Sequence, residues 1–211
     1  MTSTTTPQIL DASAVDLFWL PLGAGPGRGV VRLSGRIYEQ LAARRARRHP
    51  QAIYHSALRV RVGEARYVIE MTPVWSSRAT DHGAVCEGPV GLPWLGRSRY
   101  FRYEVRLWRN GVIDDQPYAV QSPVRLSTDR ERATRLLASV PDFPTATWGL
   151  DELGAGEMWN SNSLISWLLA VSGHDTAAIN PPHAGRAPGW DAGLVCAGAR
   201  TRPIEPSAVL L

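Results

Sequence analysis

Lysine is absent from this sequence, and all 23 of its cationic side chains are arginine. No Schiff base through a lysine amine, no pyridoxal phosphate anchor and no phosphate-loop lysine can therefore be built from it. Cysteine is nearly absent: only Cys86 and Cys196 occur. Two thiols are too few for a disulfide framework or a cysteine-based zinc site, though one bond between them stays open. No apolar run approaches the roughly 18–20 residues that cross a bilayer. The first residues, up to Asp16, hold neither a basic residue nor a continuous apolar core, so they do not read as a secretory signal. The expectation is a cytoplasmic protein without a membrane span.

What is present fits one globular domain. The chain has 211 residues, 44% of them hydrophobic, and eight Trp, enough to bury a core without staples. The net charge of +4 is spread along the chain, so no nucleic-acid partner is expected. His55, His82, Asp81 and Glu70 could form a metal site on paper, but no H-x-x-x-H or comparable spacing supports one. Neither a metal nor another cofactor is expected.

Along the chain, Val15–Leu22 is a short apolar run suited to a buried strand. The glycine-rich Gly23–Gly29 after it lacks a Gly-Lys-Ser/Thr ending, and Pro26 removes a donor that a phosphate cradle would use. Ser34 is placed to cap a helix through Ile37, Tyr38 and Leu41, ending at Arg44–Arg48 and stopped by Pro50. Ile53–Val62 and Arg66–Val74, linked by Gly63-Glu64-Ala65, predict an antiparallel hairpin. Ser76–Gly96 reads as a long loop, Arg97–Trp108 as a half-exposed strand, and Val112–Val124 as a further one interrupted near Pro117. Thr128 and Glu131 have capping-box spacing ahead of a helix through Ala133, Leu136 and Val140. Asn180–Gly193, rich in Pro and Gly, reads as a loop, and residues 1–14 and 200–211 as loosely packed tails. The element order predicts an α+β fold, helices packed on a mainly antiparallel sheet.

The stretch with most chemical promise is Met158-Trp159-Asn160-Ser161-Asn162-Ser163 followed by Leu164–Val171. Asn160, Ser161 and Ser163 are each suited to cap a helix with almost no polar face, closed by Gly173. A hydroxyl at the N-terminus of a buried helix is a cap or a nucleophile, and the helix end favours a developing oxyanion. Of the five histidines only His55 falls in an expected strand, which can aim a catalytic base.

Tyr54–Leu58, Val68–Glu70 and Asn160–Leu164 together resemble the permuted papain-like hydrolases, which include NlpC-type amidases and lecithin:retinol acyltransferase relatives. The chain is also similar to uncharacterised actinobacterial proteins with a Met-Trp-Asn-Ser-Asn-Ser segment. The resemblance implies a circularly permuted papain-like domain over residues 1–211, with an amide or ester as substrate. It implies Ser161 as nucleophile, His55 as base and Glu70 as the orienting carboxylate, with Asn160, Trp159 and Asn162 at the oxyanion or the substrate. The superfamily carries Cys where this chain has Ser161. A natural serine hydrolase, a Cys replaced to trap a complex, and a fold that kept binding after losing catalysis all stay open. In the last case Trp75, Trp94 and Trp159 would line a ligand groove. Glu70 has an equal alternative as a carboxylate paired with Arg59 or Arg61, because simple hairpin register sets it opposite about Leu58. Small molecules or peptides are the expected partners.

Overall fold

A computed structural model describes residues 12–24, 29–74 and 83–199, the side chains of 29–36 excepted. The fold is α+β. Strand β1 (Ala14–Pro21) is followed by helix α1 (Gly29–Arg45), then by the hairpin β2 (Tyr54–Val62) and β3 (Ala65–Pro73). Strands β4 (Ala84–Pro89), β5 (Arg102–Arg109) and β6 (Val124–Ser127) come next, and helices α2 (Arg130–Ser139), α3 (Ser161–Val171) and α4 (Trp190–Cys196) close the described chain. The six strands form one sheet in the order β4-β5-β3-β2-β1-β6, and every neighbouring pair is antiparallel.

Alternation along the strands sends successive side chains to opposite faces. Val15, Leu17 and Trp19 of β1, Tyr54, Leu58 and Val60 of β2 and Ile69 and Met71 of β3 join Leu136, Leu164, Ile165 and Leu168 in the main core. That face carries α2, α3 and α4. The intervening residues Phe18, Leu20, Ala57 and Val68 form a smaller cluster closed by Ile113, from the segment after β5. Phe143 stacks on Trp159 at 5.0 Å, and Trp19 meets Trp190 at 5.3 Å, tying β1 to α4. Such ring pairs add about 0.5–1.5 kcal/mol beyond the area they bury.

One interruption in the sheet matters for everything near α3. β1 and β2 pair along their whole length, from Ala14↔Arg61 to Pro21↔Tyr54. β2 and β3 pair only from Val62↔Ala65 to Leu58↔Ile69, whereas β3 continues against β5 as far as Pro73↔Tyr103. The first residues of β2, Tyr54–Ala57, therefore have a strand partner on the β1 side alone. The hairpin register differs by one residue from the expected one: Leu58 faces Ile69, not Glu70.

Other expectations are also corrected. The first long helix starts at Gly29, five residues before Ser34, so Ser34 is not its cap. Asp129, not Thr128, caps α2, accepting from the main-chain N–H groups of Glu131 and Arg132. The loop expected at 76–96 contains β4, and Arg97 and Phe101 lie in short 3₁₀ turns ahead of β5. Val112–Val124 is a loop with one 3₁₀ turn at Gln116–Tyr118, and the strand follows it. The segment read as a Pro/Gly loop ends in α4. Ser13 and Ala14, assigned to a loose tail, are buried. The remainder of that tail to residue 11, the tail 200–211, Pro26 of the glycine-rich loop, and Trp75, Asp81 and His82 lie outside the described residues. No disulfide joins Cys86 and Cys196. No helix among the described residues is long and apolar enough to cross a membrane.

Candidate functional site

The N-terminus of α3 is built by its own sequence. Asn160, with extended backbone, accepts on Oδ1 from the Asn162 N–H at 2.8 Å, and Ser163 Oγ accepts from the Asn160 N–H at 3.0 Å. This reciprocal cap satisfies donors that a helix start leaves open. Further bonds fasten the turn to the segment before α4. Asn160 Nδ2 donates to Pro188 O at 2.8 Å, and Ser163 Oγ donates to Gly189 O at 2.8 Å. Two glycines permit the approach. A Cβ on Gly189 (φ 87°) would lie 2.5 Å from Asn160 Oδ1, and one on Gly193 would lie 2.2 Å from Ser163 O. Those separations are far inside contact distance, so α4 packs on α3 only because these positions lack side chains.

Asn162 then joins α3 to the sheet. Its Nδ2 donates to Tyr54 O at 3.0 Å and to Pro188 O at 2.9 Å, while its Oδ1 accepts from Ser56 Oγ at 2.8 Å. The helix start is thus seated against the part of β2 that β3 leaves uncovered. Ser161, the first residue of α3, is 7% exposed, and its hydroxyl makes no hydrogen bond among the described residues.

His55 lies between Tyr54 and Ser56, and alternation sends its ring the other way. Its Nε2 is 3.8 Å from Asp115 Oδ2, a buried carboxylate in the segment after β5. Glu70 shares that side of the sheet but is committed elsewhere, its Oε1 accepting from Arg106 Nη1 at 3.0 Å. Arg106 is buried and also donates to Glu104 at 2.6 Å. Burial pushes the Glu70 carboxyl above its ordinary range; the nearby Asp114 adds to that, and Arg106 and His55 oppose it.

The structure therefore brings the His55 strand and the Ser161 turn together without closing a dyad, for no hydrogen bond joins the two side chains. Glu70 is held by Arg106, and the carboxylate that the structure sets 3.8 Å from His55 is that of Asp115. Asn160 and Asn162 use their amide donors on main-chain carbonyls, which removes them as oxyanion donors. The main-chain N–H of Ser161 makes no such commitment among the described residues. Trp159 is 1% exposed and belongs to the core, whereas Trp94 is 65% exposed. Asp115 escaped the sequence reading because it sits in a loop remote from His55 along the chain, with no motif around it. No group of three or more His, Cys, Asp or Glu among the described residues is placed to hold a metal ion. Comparison of the chain with protein-family models, with curated proteins and with solved structures found no match.

Proposed function

We propose that this protein is an acyl-transfer enzyme, cleaving or transferring an amide or ester through Ser161, on a permuted papain-like arrangement. One observation carries the reading: an uncommitted serine hydroxyl at the start of a buried helix, seated against the strand that bears His55. A serine hydroxyl attacks only while a base removes its proton, and an imidazole is suited to take that proton and return it to the leaving group. Asp115 serves as the carboxylate that steadies His55 in place of Glu70. The Ser161 N–H and the positive end of α3 are aimed to stabilise the tetrahedral oxyanion. In the balanced step, Ser161 Oγ bonds to the carbonyl carbon, its proton passes to His55 and then to the departing amine or alcohol. Water or a second nucleophile releases the acyl group.

For the dyad to form, the His55 ring reaches round the uncovered edge of β2 from the face opposite α3 while one of its nitrogens keeps Asp115. That requirement favours a second reading, a ligand-binding protein that retains the fold without chemistry. A fluorophosphonate probe separates them. Under the first reading Ser161 is labelled, His55→Ala abolishes labelling, and Asp115→Asn slows it by about 10²-fold or more. Labelling unchanged in Ser161→Ala, with a native fold by circular dichroism, would end the catalytic reading.

A further inference from the structure

Two cross-strand rows at the far end of β2 build a second feature, on the sheet face opposite α2, α3 and α4. In one row Arg66 of β3 sits opposite Arg61 of β2, which sits opposite Ala14 of β1. In the next, Arg59 of β2 faces Asp16 of β1, which faces Arg125 of β6. The alternation of strand side chains puts all six on one face. Together with the Gly63-Glu64 turn they surround a depression of about 450 Å³, open to solvent.

The two rows differ in how their charge is answered. Asp16 is buried and holds Arg125 by a close bond and Arg59 at 3.7 Å, and Arg59 also lies over the Phe18 ring at 4.7 Å. Those two guanidinium groups are fixed in direction before any ligand arrives. Arg61 and Arg66 are exposed, directly opposed, and without an ion pair among the described residues. Like charges placed directly across two strands destabilise a sheet. Ala14 beside them supplies no bulk, so the floor stays open between the guanidinium groups. Four arginines against Asp16 and Glu64 leave the depression with an excess of two positive charges.

We propose that this depression binds a phosphate-bearing ligand, with Arg61 and Arg66 as the principal contacts and Arg59 and Arg125 as preset walls. Guanidinium forks match the oxygens of a phosphate in pairs, and two opposed forks answer a doubly charged group better than a single carboxylate. A ligand of this kind turns a cross-strand repulsion into a shared attraction. The site lies about 13 Å (Arg59) to about 20 Å (Arg61) along β2 from His55, by the rise of four to six strand residues, so it is separate from the Ser161 turn and does not depend on the acyl-transfer reading.

The test uses the full chain and inorganic pyrophosphate, followed by calorimetry in low salt. Saturable binding is expected, weakened at least tenfold in Arg61→Gln/Arg66→Gln and unchanged in Arg97→Gln/Arg99→Gln, which removes equal charge from another surface. Thermal melting of the first pair is expected at or above the parent temperature, because the substitution relieves repulsion. Phosphatidic acid in phosphatidylcholine vesicles forms the second arm: binding there but not to pyrophosphate, lost in the same pair, assigns the phosphate to a lipid headgroup. Absence of binding to both probes, or equal weakening by the Arg97/Arg99 pair, overturns the proposal.

Discussion

Asn162 shows how much one side chain can hold. Its amide reaches Tyr54 O and Ser56 Oγ, 108 and 106 residues away in sequence, and Pro188 O, 26 residues away. Replacing it with Ala leaves Tyr54 O and Ser56 Oγ without these buried partners, while Pro188 O keeps the donor from Asn160. At about 1 kcal/mol per bond, with more for a buried group left unmade, Asn162→Ala should cost roughly 2–4 kcal/mol. Urea unfolding measures this directly, and a loss under about 1 kcal/mol would mean that the turn is held by its other bonds. The local half of this turn was legible in the sequence, since a cap is a relation among residues two or three apart. The clasp was not, because its partners are distant along the chain and no spacing announces them. The same holds for Asp115 beside His55, while Glu70, which the resemblance pointed to, is engaged by Arg106, 36 residues away.

At the level of elements, the described side chains of α1, residues 37–45, are fastened by charge more than by apolar packing. Ile37 and Leu41 on it are 50% and 59% exposed, whereas Glu39 is buried. Glu39 bonds closely with Arg48, accepts from the Gln51 N–H at 2.8 Å and from Arg186 Nη1 at 3.2 Å. Burial alone would raise its carboxyl, but the Arg48 bond, the Gln51 N–H and the charges of Arg48 and Arg186 outweigh that and hold it below its ordinary 4.5. A carboxylate lowered in the fold contributes stability above its unfolded value, and that contribution is lost as pH falls through the folded one. Glu39→Gln should thus lower stability at pH 7 by about 1–3 kcal/mol. The gap from the parent should close as the pH drops below 4.5. A gap of constant size from pH 7 to pH 3 would show that the charge is not what fastens α1. The strands β1, β2 and β3 were readable because Val, Ile, Leu and aromatic residues alternate or run together there. β4 and α4 were not: one is a short edge strand holding Gly88 and Pro89, and the other begins within a Pro- and Gly-rich segment and contains Gly193, which looks like a breaker but is a contact.

For the whole molecule, composition and element order indicated α+β, since helices and strands appear in segregated runs. The order β4-β5-β3-β2-β1-β6 could not be read, because β1 crosses α1 to reach β2 and β6 returns from a long segment to the free edge of β1. This arrangement puts β1, β2, β3 and α3 inside one contiguous core and leaves β4, β6 and α1 at its margins. Local opening is easiest where few apolar side chains are buried and backbone bonds are exposed. Hydrogen exchange should therefore divide the chain in two classes. Amides of Leu17–Leu20, Leu58–Val60 and Leu164–Leu169 should exchange last and at a common rate set by global unfolding. Those of Ile37–Arg45 and Ala84–Pro89 should exchange earlier, and Glu39→Gln should speed the first of these without touching the second. Protection of residues 37–45 equal to that of α3 would contradict the view that the charged bonds of Glu39, more than burial, keep this part of the helix in place.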